Sequence, residues 1–157
     1  MDTDITLAIR IEDMCVLEET FQTRPPKPGP QISSGLGVTV PQVEYHKEKE
    51  AGADLVRSTV SIRYSLMDSE TDAGECLRFG LTAEVTDSVP SLNSGAHSVS
   101  QKNIEHALLR EAVSTAYGLA TSRLLDVSAL SPFGKVYMPT IDGDALLRDI
   151  QVRGDLK

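Results

Sequence analysis

The sequence predicts an α+β domain in which β-strands precede one long helix. Apolar and polar residues alternate at residues 5–11, 60–66 and 77–85, which is the period of a strand with one buried face. From residue 101 to 125 most residues are instead good helix formers, and the apolar ones recur at helical spacing. A length of 157 residues suits one hydrophobic core, so we predict a single domain over 1–157.

The first strand is predicted at residues 5–11, where Ile and Leu alternate with Thr, Ala and Arg, and it continues or restarts through Met14 to Phe21. It must end before residues 25–30, which contain four prolines. Proline lacks the amide donor and has a fixed φ, which excludes a helix or an inner strand. We therefore predict a Pro/Gly-rich loop over residues 23–37.

Three further strands are predicted before residue 90. Val38, Val40 and Val43 indicate a short second strand, and Pro41 within it fits an edge position or a bulge. The alternating segments at 60–66 and 77–85 are joined by a turn-rich connection, so the simplest arrangement is an antiparallel hairpin.

The helix at 101–125 follows a flexible connection over residues 91–100, which is rich in Ser, Asn and Gly. Its apolar band is broad, because Leu109, Val113, Tyr117 and Ala120 widen the main stripe. A sheet on one side and a second subunit on the other would cover such a band. After the helix we predict an extended segment around Val136 and a short helix near 144–150.

Composition argues against several classes of partner. The net charge of -8 makes nucleic acid and anionic membrane surfaces unfavourable partners, since both require clustered Lys and Arg. No apolar run approaches the length of a membrane span, and the acidic start is unlike a secretory signal. A cytoplasmic location is the resulting expectation. Two isolated cysteines provide neither a disulfide framework nor a zinc cluster.

No motif in the sequence predicts catalysis, a cofactor or a metal. The acids at 68–72 resemble the start of a calcium loop, but Ala73 and Phe79 stand where the glycine and the closing acid belong. The segments Gly35–Gly37 and Gly134–Lys135 lack the remaining residues of nucleotide-binding loops. Three scattered histidines have no triad or metal spacing. We therefore expect a protein that is not an enzyme.

The pair Arg110-Glu111 lies in the long helix, and the proline-punctuated segment from Leu130 to Pro139 leads into the short final helix at 144–150. In these features the chain resembles the C-terminal half of the SecB-like export chaperones. The strand at 77–85 is similar to the third strand of that family, and its acid corresponds to Glu84. Glu18 matches an acid of the first strand region. The resemblance covers roughly residues 4–150.

The resemblance implies a four-stranded antiparallel sheet packed on one long helix plus a short C-terminal helix, assembled as a dimer of dimers. Such proteins hold unfolded polypeptides without ATP, dock an export motor on an acidic sheet face, or serve toxin–antitoxin modules. Glu18 and Glu84 would be the partner-docking acids. The client-binding groove would be lined by Leu119, Leu130, Phe133, Val136, Tyr137 and Met138.

Two departures from the family favour a dedicated client over broad client holding. The chain has only three Phe and four Tyr, whereas the family's grooves are rich in aromatics. Residues 106–109 also replace the aromatic-Pro-Tyr stretch that is usual before the Arg-Glu pair. One antitoxin would need less groove area than many clients.

Three functional hypotheses follow. The first is an ATP-independent chaperone for non-native or dedicated clients, working as a homodimer or homotetramer. The second is an assembly adaptor that uses the same fold without chaperone activity. The third is a small-molecule enzyme whose site forms in the oligomer, with His97 or His106 beside carboxylates.

Overall fold

A computed structural model of the chain describes residues 10–27, 32–47, 53–68, 74–90, 101–142 and 144–147. Its elements are β1 (Arg10–Thr23), β2 (Ser33–Lys47), β3 (Ala53–Met67), β4 (Glu75–Pro90), α1 (Gln101–Ser128) and a short helix, α2, at 144–147. The strands form one sheet in the order β1-β4-β3-β2, and all neighbours are antiparallel. This confirms the predicted α+β fold, with four strands, one long helix and one short helix.

The hairpin of β3 and β4 forms the centre of the sheet. Ile62 lies opposite Leu81 and Tyr64 lies opposite Phe79, so the apolar positions of the two strands share one face, here called the helix side. All four side chains are buried. The opposite face, here called the open face, carries the polar partners, as shown by a 2.7 Å hydrogen bond between the hydroxyls of Ser61 and Thr82.

Helix α1 packs on the helix side over β3 and β4. Ala112, Ala116 and Ala120 recur every four residues and are fully buried. Small side chains at this spacing let the helix backbone lie close to the sheet. The helix ends at Ser128, three residues beyond the predicted end, and Gly118 does not interrupt it.

The segment after α1 is held on the core by hydrogen bonds rather than by regular structure. The Tyr117 hydroxyl donates to the carbonyl of Pro139, and the amide of Val136 donates to Ser128 Oγ over 2.8 Å. The amide of Ala145 donates to Asp142 Oδ1 over 2.8 Å, so Asp142 caps the start of α2.

The loop predicted at 23–37 is shorter than expected, because β2 already begins at Ser33. Gly35 pairs with Ser65 and Gly37 with Arg63, so the ladder to β3 overrides the low strand propensity of glycine. A Cβ at Gly35 would lie 3.1 Å from Ser65 Oγ, so this pairing leaves little room for a side chain.

Pro41 lies at a bulge of an edge strand, as predicted. Pro41 lies at the register shift between Thr39 and Gln42, and β2 is an edge strand. The strand is longer than the predicted 38–43 because pairing with β3 extends it in both directions. The predicted strand residues 5–9 and the connection 91–100 lie outside the described residues.

A partly buried ion pair fastens the chain after β1 to the residue that follows β3. Arg24 Nη1 and Nη2 donate to the two carboxylate oxygens of Asp68 at 2.7 and 2.8 Å, and the amide of Lys27 donates to the same carboxylate. The Asp68 side chain is fully buried. The Arg24 guanidinium, followed by the Lys27 amide, holds the pKa of the Asp68 carboxyl well below its usual range.

The carboxylate of Asp87 lies in the core without a hydrogen-bond partner among the described residues. Asp87 is fully buried on the helix side of β4, opposite Ile11 and Val56, and neither of its oxygens accepts a hydrogen bond from a described residue. Burial, with a smaller effect from the charge of Glu111 on α1, raises the pKa of Asp87 to about 6. The ionised form of Asp87 therefore destabilises the packing between α1 and the sheet.

Replacing Asp68 by Asn should lower Tm by roughly 5–10 °C, because Arg24 loses its buried ionic partner. Asp144→Asn is the control, since its 3.4 Å pair with Arg110 is exposed on both sides and should shift Tm by less than about 2 °C. Thermal unfolding followed by circular dichroism measures both. Equal shifts would contradict a structural role for the buried pair.

The unpaired Asp87 should make the free energy of unfolding fall as pH rises. The folded-state pKa is raised to about 6, so the native state binds more protons than the unfolded state, and stability is lost as pH rises through that value. We expect a loss of about 2 to 3 kcal/mol between pH 4 and 7.

Denaturant unfolding across this pH range measures that slope. Asp87→Asn should abolish the slope and exceed the wild type in stability at pH 7. Asp13→Asn removes an exposed carboxylate of β1 and should leave the slope unchanged. A slope that persists in Asp87→Asn would assign it to other groups.

Candidate functional site

The helix side of β1 exposes a row of apolar side chains. Ile11, Met14 and Val16 lie opposite Asp87, Val85 and Ala83 of β4, and each is about 40% exposed (42%, 38% and 41%). Leu17, at a register shift, is 54% exposed. These four residues are called the β1 row. They stay exposed because α1 lies over β3 and β4 rather than over β1.

The β1 row ends where the helix is fastened to the strand. Arg123 on α1 donates to both carboxylate oxygens of Glu19 at 2.9 and 2.7 Å, and this pair lowers the pKa of Glu19. Phe21, two residues further, is half-buried and packs against the core. The ion pair therefore separates a covered end of β1 from an uncovered end that contains the row.

The free edge of β1 adds a second feature to this surface. Within the described sheet β1 pairs only with β4, so its other edge has no strand partner among the residues that the structure describes. Two register shifts, at Glu12 and Leu17, interrupt the ladder along the same stretch. Bulges of this kind twist an edge and limit uncontrolled pairing.

The six predicted client residues divide into exposed and buried ones. Leu130 is 99% exposed and Tyr137 is 66% exposed, whereas Leu119 and Phe133 are half-buried. Val136 and Met138 are buried in the core and present no surface to a client in this conformation. Val136 and Met138 alternate with the exposed Tyr137, as in an extended segment. Their side chains face the sheet and the helix, whereas that of Tyr137 faces solvent.

The predicted docking acids lie on the open face, away from the β1 row. Glu18 is opposite Thr82 and Glu84 is opposite Cys15, so the two acids occupy neighbouring positions on β1 and β4. The structure thus brings Glu18 and Glu84 together. The same face also carries Arg57, Arg63 and Arg78, so it is mixed in charge rather than uniformly acidic.

Sequence reasoning missed the β1 row and Asp87, and only Asp87 leaves a signal in the sequence. Met14, Val16 and Leu17 were assigned to a strand, but nothing in a single sequence says which strand the helix leaves uncovered. Asp87 continues the alternation of 77–85 by one step, so an acid stands where a buried apolar residue is expected. That break in the pattern is a detectable sign of an unusual buried charge.

No metal or membrane feature stands out in the described ranges. Among these residues, no group of three or more His, Cys, Asp or Glu side chains could hold a metal ion. None of the described helices is long and apolar enough to cross a bilayer.

No protein-family model matches the sequence, and no curated protein matches it significantly. The fold does have counterparts among solved structures. A SecB-like chaperone of Mycobacterium tuberculosis, solved in complex with an antitoxin peptide, superimposes with a TM-score of 0.58 at 13% identity, over 85% of this chain and 91% of that chain. A Streptococcus agalactiae protein of unknown function gives a TM-score of 0.47 at 9% identity, over 85% and 98% of the two chains.

The first match agrees with the resemblance that the helix and the proline-punctuated tail indicated. It extends over most of both chains, so the likeness concerns the whole sheet-and-helix arrangement and not a local motif. The chain has the fold of a SecB-like chaperone.

Proposed function

We propose that this chain binds non-native or dedicated client polypeptides, as an ATP-independent chaperone that acts by binding rather than by catalysis. The observation that carries the proposal is the β1 row, an uncovered set of apolar side chains on an edge strand. Exposed apolar surface next to a free strand edge is the surface on which an extended polypeptide binds through both side-chain burial and backbone pairing.

The chemistry of the row suits an unfolded segment. Burying three side chains such as Ile11, Met14 and Val16 contributes several kcal/mol at about 25 cal/mol per Å² of apolar surface, from which the entropy cost of association is subtracted. A client strand also brings amides and carbonyls to the unpaired edge of β1. Neither contribution requires ATP or a defined client sequence.

A dedicated client fits this chain better than a wide range of clients. The row has aliphatic and Met side chains and no aromatic ring, so its area and its affinity for any one segment are moderate. The Mycobacterium tuberculosis counterpart was solved with an antitoxin peptide, which supports an antitoxin as one class of client. An export motor is the proposed partner of the acids Glu18 and Glu84.

The exposed residues after α1 offer a second client surface. Ser131 and its neighbours form a hydrogen-bonded turn, with Ser131 N donating to Ser128 O at 2.8 Å and Gly134 N donating to Ser131 O at 3.0 Å. Gly134 has a φ of 65°, a conformation that favours glycine. This turn fixes Leu130 in solvent, and Tyr137 follows it on the same segment.

We also propose that the chain forms a homodimer or homotetramer in the cytoplasm, through the outer face of α1. The exposed stripe of the helix recurs every four residues: His106, Arg110, Ser114, Gly118, Ser122 and Asp126. Its central members are small, and nothing lies within 4 Å of a Cβ placed on Gly118. A second helix could therefore approach closely there.

The double variant Met14→Ser/Val16→Ser should weaken client binding. Both side chains are partly exposed, so the fold tolerates the change, while the loss of apolar contact should raise the Kd for a chemically unfolded protein about tenfold. Suppression of client aggregation by light scattering, with Kd from fluorescence anisotropy, measures the effect. Val43→Ser, on the other edge strand, is the matched control and should change Kd by less than about twofold.

The same assay compares the two surfaces and tests the proposal as a whole. Leu130→Ser should weaken binding if the turn after α1 contributes, and otherwise only the β1 row is used. The wild type should delay aggregation or protect an antitoxin from proteolysis at molar excess. If it does neither, the proposal of chaperone activity is wrong. Tight binding to one folded partner would then favour the hypothesis of an assembly adaptor.

Substituting Gly118 by Leu tests the oligomer. In an isolated chain the larger side chain meets open space and improves helix propensity, so stability should rise by about 0.5 to 1 kcal/mol. In an oligomer packed through α1 it should block the contact and reduce the mass measured by size-exclusion light scattering to that of one chain. Gly118→Ala adds helix propensity without bulk and should keep the oligomer. A wild-type monomer would contradict the proposal.

A further inference from the structure

The open face of the sheet contains a depression of about 530 Å³ over β1, β4 and β3. Its lining includes Glu18, Thr20, Arg63, Glu75, Arg78 and Gly80. Around it the open face carries short polar side chains such as Ser61 and Thr82, together with the charged Arg57 and Glu84. The depression is therefore a local feature of an open, polar surface, and the sheet separates it from the β1 row.

Glycine creates the floor of the depression. Gly80 lies between Thr20 on β1 and Arg63 on β3, and a Cβ at Gly80 would come within 2.8 Å of Thr20 Oγ1. Gly37 lies on the other side of Arg63. The Thr20 hydroxyl takes up the space that a side chain at Gly80 would need, which explains a glycine inside this strand. Arg63 thus stands between two positions without side chains.

Two opposite charges at the rim face solvent and have no protein partner among the described residues. The Arg78 Nε is 2.6 Å from Glu75 Oε2, so these two groups neutralise each other. Arg63 and Glu18 are both exposed, and neither makes a hydrogen bond or ion pair with another residue of the described ranges. Their Cα atoms are about 12 Å apart, from two strand spacings and a two-residue offset.

We propose that this depression docks a polypeptide segment of a partner that carries both an acidic and a basic side chain. The acidic group binds the Arg63 guanidinium, which matches a carboxylate in two hydrogen bonds, and the basic group binds Glu18. A purely basic partner would meet repulsion from Arg63, so this face selects for a pair of charges. The proposal rests on the partner-docking role proposed for Glu18 and adds Arg63 to it, and it is independent of client binding because the β1 row lies on the opposite face.

Three synthetic peptides on a neutral Gly/Ser backbone provide the probe. One carries Glu and Lys four residues apart, which is about 13 Å in an extended chain; the other two carry only the Glu or only the Lys. Binding is measured by NMR titration of the isotope-labelled protein, with the amides of Gly80 and Thr20 as reporters. The mixed peptide should bind about fivefold more tightly than either single-charge peptide, and the difference should shrink at high salt.

Arg63→Gln tests whether the Arg63 guanidinium binds the acidic group of the peptide, and Arg57→Gln is its matched control. Arg57 is also an exposed arginine on the open face of β3, but it lies outside the depression. Arg63→Gln should reduce the affinity of the mixed peptide about fivefold, to that of the Lys-only peptide. Arg57→Gln should change it by less than about twofold.

Three results would overturn the proposal. The Lys-only peptide could bind the wild type as tightly as the mixed peptide, which would show that the face binds basic segments through its acids alone. The two arginine variants could lose affinity equally, which would indicate unspecific attraction. The titration could also shift only Met14 and Val16 or no amide at all, which would place peptide binding elsewhere or exclude it.

Discussion

The packing of α1 on the β3–β4 hairpin is the interaction on which the other features depend. Ala112, Ala116 and Ala120 bring the helix close to a surface formed by residues such as Leu81 and Ile62, all with 1% exposure or less. This contact needs small side chains on the helix and large ones on the sheet, because only that combination fills the interface without voids. A helix placed over the hairpin reaches β1 only near Glu19 and Phe21, and the exposed β1 row is the consequence.

The sheet therefore presents two surfaces of different chemistry. On the helix side, uncovered apolar side chains lie beside a strand edge that pairs with no strand among the described residues, which suits an extended, uncharged polypeptide segment. On the open face, Glu18 and Arg63 border a glycine-floored depression, which suits a partner with complementary charges. Because a strand directs successive side chains to opposite faces, β1 supplies residues to both surfaces at once.

Polar contacts hold the segments that have no regular structure. Arg24 and Asp68 fasten the chain after β1, and Ser128 holds the segment after α1 through the Val136 amide. In each case a buried polar group is satisfied, as stable burial requires. Asp87 is the exception, and its raised pKa is the electrostatic sign of a carboxyl placed where an apolar residue would pack.

The sequence by itself determined the element types and much of their order. Period-two alternation in residues 60–66 and 77–85 and helical spacing after 101 are local signals, since they depend only on which side chains share a face. The Arg110-Glu111 pair and the proline-punctuated tail add a resemblance to the SecB-like chaperones, and that resemblance implied the arrangement of the four strands and the helix. The glycines at 35 and 37 misled the assignment of the loop, because pairing with β3 is not a local property.

Only the tertiary structure decided which surfaces are available. The path of the tail across the core decides which of its side chains are exposed: Val136 and Met138 are buried, and Leu130 and Tyr137 are exposed. The position of α1 over the other strands leaves three side chains of β1 uncovered, those of Ile11, Met14 and Val16. Both are consequences of contacts between residues far apart in the chain, which no local pattern encodes.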